Sequence, residues 1–214
     1  MNAGLGEWSF FMDHRAEILS ATFDHIELVL ISMVIAVFIA VPLGMFIVQR
    51  PALRTISIGV ANVFQTIPSL ALFGFLIPIP FIGGIGKRTA IVALVLYALL
   101  PILRNTYVGL SGIDSAVLEA AEAMGMTSAQ ILFRVRFPLA LSIILAGIRT
   151  ATIITIGIAT IAAAIGAGGL GTFIFRGVAL VSDSLIFAGA IPAALLALIA
   201  DFLLGLLERR LKVV

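Results

Sequence analysis

Residues 119–138 read EAAEAMGMTSAQILFRVRFP, and long apolar segments flank them on both sides. The stretch opens on an acidic residue and two alanines, and Gly125 stands six residues after Glu119. It closes on Pro138, nineteen residues after Glu119. No other mostly polar interruption in this very apolar chain is as long. A membrane protein that sets one patterned polar loop mid-chain uses it to meet something in the aqueous phase.

The 214 residues are 62% hydrophobic and 11% charged. A soluble domain is about 45–50% apolar and about 25% charged. One small core cannot hide the excess apolar surface from water, so the chain belongs in a membrane. Cysteine is absent, which excludes disulfides and thiolate metal sites. The two imidazoles, His14 and His25, lie eleven residues apart in the polar N-terminal segment, where exposed structural histidines are expected rather than metal ligands. Net charge is +2, the basic residues are dispersed, and no nucleic-acid patch stands out. The first 27 residues hold Glu7, Asp13, Arg15, Glu17, Asp24 and Glu27. A signal peptide would need a basic start and an apolar run; a polar or interfacial helix leading into the first span fits better.

A helix that crosses hydrocarbon needs about 20 apolar residues. Leu28–Gln49 carries no charge and gives span one; Pro51, between Arg50 and Arg54, marks a turn. The charge-free run Thr55–Gly86 is too long for one crossing and too short for two. Pro78, Pro80, Gly83, Gly84 and Gly86 predict the break, which puts span two at 55–77. Span three is predicted at 89–108, with Lys87, Arg88 and Arg104 snorkelling at its ends. Span four covers 139–165, interrupted only by Arg149, and span five 184–207, which includes Asp201. The domain reading is a polar segment at 1–27, one membrane domain at 28–208 with its loop at 109–138, and a tail at 209–214. Lipid leaves no partner for unpaired backbone groups, so all five spans are expected to be helical.

Five spans put the termini on opposite sides. With the N-terminus outside, the inner side carries Arg50, Arg54, Arg104, Arg134, Arg136, Arg209, Arg210 and Lys212, against Arg15, Lys87, Arg88 and Arg176 outside. Positive charge favours that orientation and makes the 109–138 loop cytoplasmic. Within the loop, Ala116, Ala120, Ala121, Ala123 and Ala129 favour helix. Gly125 predicts a turn, and Thr127 or Ser128 can cap a second helix.

Glu119-Ala120-Ala121, then Gly125, then Val135-Arg136-Phe137-Pro138 resembles the EAA loop of ABC importer permeases. Val135 and Phe137 stand where that pattern has Ile and Leu. Gln65-Thr66-Ile67-Pro68-Ser69, Leu99–Thr106, Ala146–Ala151 and Ile165–Gly171 look like the permeases for glycine betaine, carnitine and choline, and the likeness covers about residues 20–208. The resemblance implies an all-α integral membrane protein of the type I ABC importer (MetI-like) fold in a prokaryotic inner membrane. It also implies a second permease copy or paralogue, two cytoplasmic ATP-binding subunits and an extracytoplasmic solute-binding protein. ATP with magnesium would bind the partner ATPase, and this chain would bind no cofactor.

By the same resemblance, Glu119, Ala120, Ala121 and Gly125 form the coupling helix that sits in a groove of the ATPase, and Pro138 restarts the chain into span four. Gln65, Thr66 and Ser69 beside Pro68, together with Thr150, are candidates to line the translocation path; the alternative is that they satisfy backbone groups freed by the proline. Arg149, eleven residues into span four, needs a partner within the membrane, and Asp201 is the expected one, as a structural pair or a gate. The glycine run 165–171 follows no strand, which excludes a dinucleotide fingerprint; a close-packed outer turn is expected, with Gly168 and Gly169 near a partner protein.

The chain has no GxxxxGK[ST] and no catalytic constellation in its spans, so it reads as a transport subunit rather than an enzyme. A stand-alone secondary transporter or channel is the alternative from another class, and no internal repeat of the kind common there is visible. Other cargo, such as amino acids, is the narrower alternative. Trp8, Tyr97 and Tyr107 make no aromatic cage for a quaternary ammonium group.

Overall fold

The computed structural model describes residues 10–211. Glu7, Trp8 and Lys212 lie outside the described residues. Among those described the chain is helical throughout, with no strand. We label the helices α1 Arg15–Ile47, α2 Pro51–Thr66, α3 Ser69–Leu76, α4 Lys87–Ser111, α5 Ser115–Ala123, α6 Ser128–Ile131, α7 Phe137–Ala162, α8 Gly171–Leu180 and α9 Asp183–Arg210. Four helical runs are long and apolar enough to cross a membrane, five if the bent pair α2–α3 counts as one span.

Helix α4 is central, packed mainly against α1 and α7. Leu94, Ile102 and Leu103 of α4 are almost fully buried in one cluster with Leu28 of α1 and Phe73 of α3. Lipid supplies no hydrophobic drive between helices, so close approach depends on small residues. A Cβ at Gly44 of α1 would lie 2.5 Å from the Thr106 methyl of α4, and one at Gly147 of α7 would lie 2.5 Å from Asn105 Cβ. These two glycines let α1 and α7 close on α4.

Three elements differ from the sequence expectation. Helix α1 starts at Arg15, so the described part of the polar segment continues directly into the first span. Ile18 of that extension packs with Phe173, Leu185 and Ala188, which explains why it is held in the membrane domain. Span two is not one helix to residue 77. It breaks at Ile67-Pro68, where the axis turns through 102°. Pro68 has no N–H, and the residue before a proline is driven to extended backbone; Ile67 has φ −70° and ψ 129°. Pro138, finally, does not restart the chain, because Ser128–Ile165 is one continuous helical run. Residues Leu132–Arg136 widen into a π turn just before the proline. A wider turn relieves the clash between a proline ring and the carbonyl four residues earlier.

Candidate functional site

The loop between α4 and α7 folds into two short helices with well-defined ends. Asp114 caps α5 by accepting from the Ala116 N–H at 2.9 Å. At the other end Met126 N–H donates to the Ala121 carbonyl at 3.2 Å and Gly125 N–H to the Glu122 carbonyl at 2.9 Å. Gly125 has φ +78°, the left-handed conformation that closes a helix this way. Thr127 then caps α6 in a reciprocal box: its hydroxyl accepts from Gln130 N–H, and Gln130 Oε1 accepts from Thr127 N–H at 2.8 Å. Glu119, Ala120 and Met124 are exposed, while Ala121 is buried inward. The result is a knob with an open outer face. Arg136 ties its base to the end of α4 by donating to the Leu110 carbonyl at 3.3 Å; sequence reading gave Arg136 no such role.

At the α2–α3 break, Gln65 and Ser69 are half-buried, and Thr66 and Pro68 are exposed. The Thr66 hydroxyl donates to the Val63 carbonyl at 2.8 Å, and the Thr150 hydroxyl to the Ala146 carbonyl at 2.9 Å. Each of these threonines is thus bonded within its own helix. The carbonyl released at the break, that of Ile67, accepts from the Tyr97 hydroxyl of α4. Tyr97 is thirty residues away in sequence, and nothing in the pattern around Pro68 points to it.

Arg149 of α7 meets α9. Its Nε donates to Asp201 Oδ1 at 2.6 Å and Nη2 to Asp201 Oδ2 at 2.8 Å, a bidentate pair. Its Nη1 reaches Glu208 Oε2 at 3.3 Å. A Cβ at Gly205 would lie 3.1 Å from the guanidinium carbon, so the missing side chain makes the seat. Glu208 and Gly205 were not singled out from sequence, although their spacing from Asp201 puts all three on one face of a helix.

The far end of α7 runs into the turn at 165–171. Gly166, Gly168 and Gly169 all have positive φ. Gly169 packs within the chain, where a Cβ would come 3.1 Å from His25 Nδ1. His25 is fully buried, which corrects the expectation of an exposed histidine: α1 extends past it and the glycine turn covers it. Its Nε2 lies 3.2 Å from the Ile156 carbonyl and, facing an acceptor, carries the proton. Nearby Lys87 donates to Asp24 at 2.7 Å and Glu27 at 2.6 Å, joining α4 to α1 rather than standing free. No cluster of three metal-ligating side chains exists among the described residues.

Residues 28–213 match the model of the binding-protein-dependent transport system inner membrane component family. The chain belongs to that family. It is 44% identical over 203 residues to a carnitine transport permease of Listeria monocytogenes, covering 95% of this chain and 92% of the relative. A choline transport system permease of Bacillus subtilis is also 44% identical, with 94% and 92% covered. An osmoprotectant import permease of Salmonella typhimurium is 43% identical, with 93% and 94% covered. Among solved structures, an inward-facing form of the MetNI methionine ABC transporter superposes with TM-score 0.80 at 26% identity, covering 91% of this chain and 96% of that one. The chain is therefore a multi-pass permease subunit of an ABC importer, working with ATPase and binding-protein partners, and its family is one of transport subunits rather than enzymes.

Proposed function

We propose that this permease carries a quaternary-amine compatible solute, of the glycine betaine, carnitine or choline class. The observation that carries the cargo is near-full-length identity of 43–44% to relatives named for carnitine, choline and osmoprotectant transport. In this reading the α5–α6 knob is the coupling helix, cytoplasmic, with Glu119, Ala120 and Gly125 toward the ATPase and Ala121 toward the permease. The open outer face and fixed turn of the knob support that role. The N-terminus is outside and the C-terminus cytoplasmic, an assignment supported by the excess of arginine on the inner side. ATP and magnesium bind two partner ATPase subunits, and this chain binds no cofactor.

A second permease, a copy or a paralogue, closes the path against α2–α3. Ile56, Val60 and Val63 make an exposed apolar stripe on α2 that ends at Thr66, which suits a protein partner beside a polar path. Gln65, Thr66, Ser69 and Thr150 offer a passing zwitterion neutral groups without a trapping charge.

The test is uptake by liposomes holding the whole complex and its binding protein. ATP-dependent accumulation of labelled glycine betaine, choline or carnitine is expected. Methionine uptake with no quaternary-amine uptake would reverse the cargo, and uptake that ignores ATP would favour a secondary transporter.

A further inference from the structure

The cytoplasmic half of α9 is loosely held. Among the described residues, Gly205 is the one buried position of α9 beyond Ala193. Leu198, Phe202 and Leu203 are each more than half exposed. Between this half of α9 and the pair α1 and α7 lies a cavity of about 440 Å³, lined by apolar groups that include Val29, Met33, Ile156 and Leu203. Apolar contacts across such a gap can slide. The Arg149 pair cannot, because its two parallel bonds fix direction as well as distance.

Charge arrangement around the guanidinium supports a built site. Asp201, Gly205 and Glu208 follow at spacings of four and three, so α9 presents acid, seat and acid on one face. Arg209 lines the same cavity as Arg149 and Asp201, and Glu208 reaches the guanidinium from the next turn of α9. At the other end of the lever, α7 is continuous with the coupling knob through the π turn. Arg149 stands eleven residues past Pro138, about 16 Å along the axis.

We propose that Arg149, seated on Gly205 and held by Asp201 and Glu208, is the tether that makes the cytoplasmic half of α9 follow α7 when the coupling knob moves. Arg149 and its three partners are positioning residues, acting through the helix they hold. The proposal rests on the knob being the coupling helix.

The complete complex with its binding protein, in liposomes, tests it through Arg149→Met, Arg149→Lys, Asp201→Asn and Glu208→Gln. Basal ATP hydrolysis should stay at the wild-type level, while hydrolysis stimulated by loaded binding protein and uptake per ATP fall about tenfold in Arg149→Met, the scale of an ordinary coupling energy. Arg149→Lys, which keeps charge but loses the fork, should recover part of the loss. The chain has no cysteine, so spin labels at Ile143→Cys and Leu206→Cys, carried by one permease copy in a complex whose other subunits are cysteine-free, report the α7–α9 distance. That distance should hold through ATP trapping in the wild type and spread in Arg149→Met. Wild-type stimulation with an unchanged distance in Arg149→Met overturns the tether. If that variant fails to assemble, wild-type stimulation in both Asp201→Asn and Glu208→Gln overturns it equally. A Gly125→Trp control separates the two readings: normal stimulation there sinks the coupling helix itself, whereas lost stimulation there with normal Arg149→Met sinks only the tether.

Discussion

Substitution at Gly125 isolates backbone conformation from packing. The residue has φ +78°, and a Cβ built on it meets nothing within 4 Å. Any penalty for a small side chain is therefore conformational. An L-residue in the left-handed region costs roughly 1–2 kcal/mol. Asparagine enters that region more readily than alanine, and a β-branched residue least of all. Leaving it breaks the two closing bonds, Met126 N–H to Ala121 and Gly125 N–H to Glu122, and the exposed end of α5 frays.

A penalty of 1–2 kcal/mol lowers the population of the closed knob by up to about 5–30-fold. Apparent affinity for a partner that needs the closed knob drops by the same fraction. Titrating the ATPase subunit onto permease in nanodiscs should give dissociation constants in the order Gly, Asn, Ala, Val, with Ala up to about 5–30-fold weaker than Gly. Stimulated ATP hydrolysis should follow the same order. Equal affinity for Gly125 and Gly125→Val would refute the reasoning. So would a series ranked by side-chain size alone, since that would mean a steric rather than a conformational cost.

Two further substitutions probe the break and the helix packing. Tyr97→Phe leaves the Ile67 carbonyl without its donor; an unsatisfied buried group costs about 1–3 kcal/mol, so the thermal midpoint should fall and uptake slow, and an unchanged midpoint would mean that water already reaches the break. Gly147→Leu drives a side chain into Asn105 and the Pro101 carbonyl, 2.5 and 2.8 Å from the first added carbon; overpacking of this kind costs typically about 1–3 kcal/mol, and a midpoint matching wild type would show that α4 and α7 separate easily.

What sequence made legible was local. The turn at Gly125 and the cap at Thr127 depend on a few adjacent residues, and both stand where the pattern puts them. The charge on Arg149 demanded a partner, and the opposite charge nearest in depth was Asp201. Long-range features were harder. Pro68 read as a kink inside one span because residue count favours a single crossing of 55–77. The full 102° break is supported by Tyr97 on another helix, a contact no window around Pro68 contains. His25 sits among charged residues and so read as exposed. Its burial comes from a glycine turn more than a hundred residues later in the chain. Pro138 read as a restart of the chain through the family resemblance; it stands in the first turn of α7, and the π turn that joins α7 to the preceding helix has no simple sequence signature.

These contacts assign α7 a mechanical place in the fold. The run Ser128–Ile165 is 38 residues, about 57 Å of helix. It meets the knob at its start, α4 at Gly147, α9 at Arg149 and α1 through the Ile156 carbonyl bonded to His25. At its end the Ile165 carbonyl accepts from the Gly86 N–H, just before α4 begins. The tightest of these approaches is at Gly147, where an added Cβ would lie 2.5 Å from the Asn105 Cβ and 2.8 Å from the Pro101 carbonyl. A rod held most closely near its middle pivots there. Displacement of the knob toward one side would then swing the His25 level toward the other, while Arg149, two residues from the pivot, would make the adjoining part of α9 follow the turn of α7.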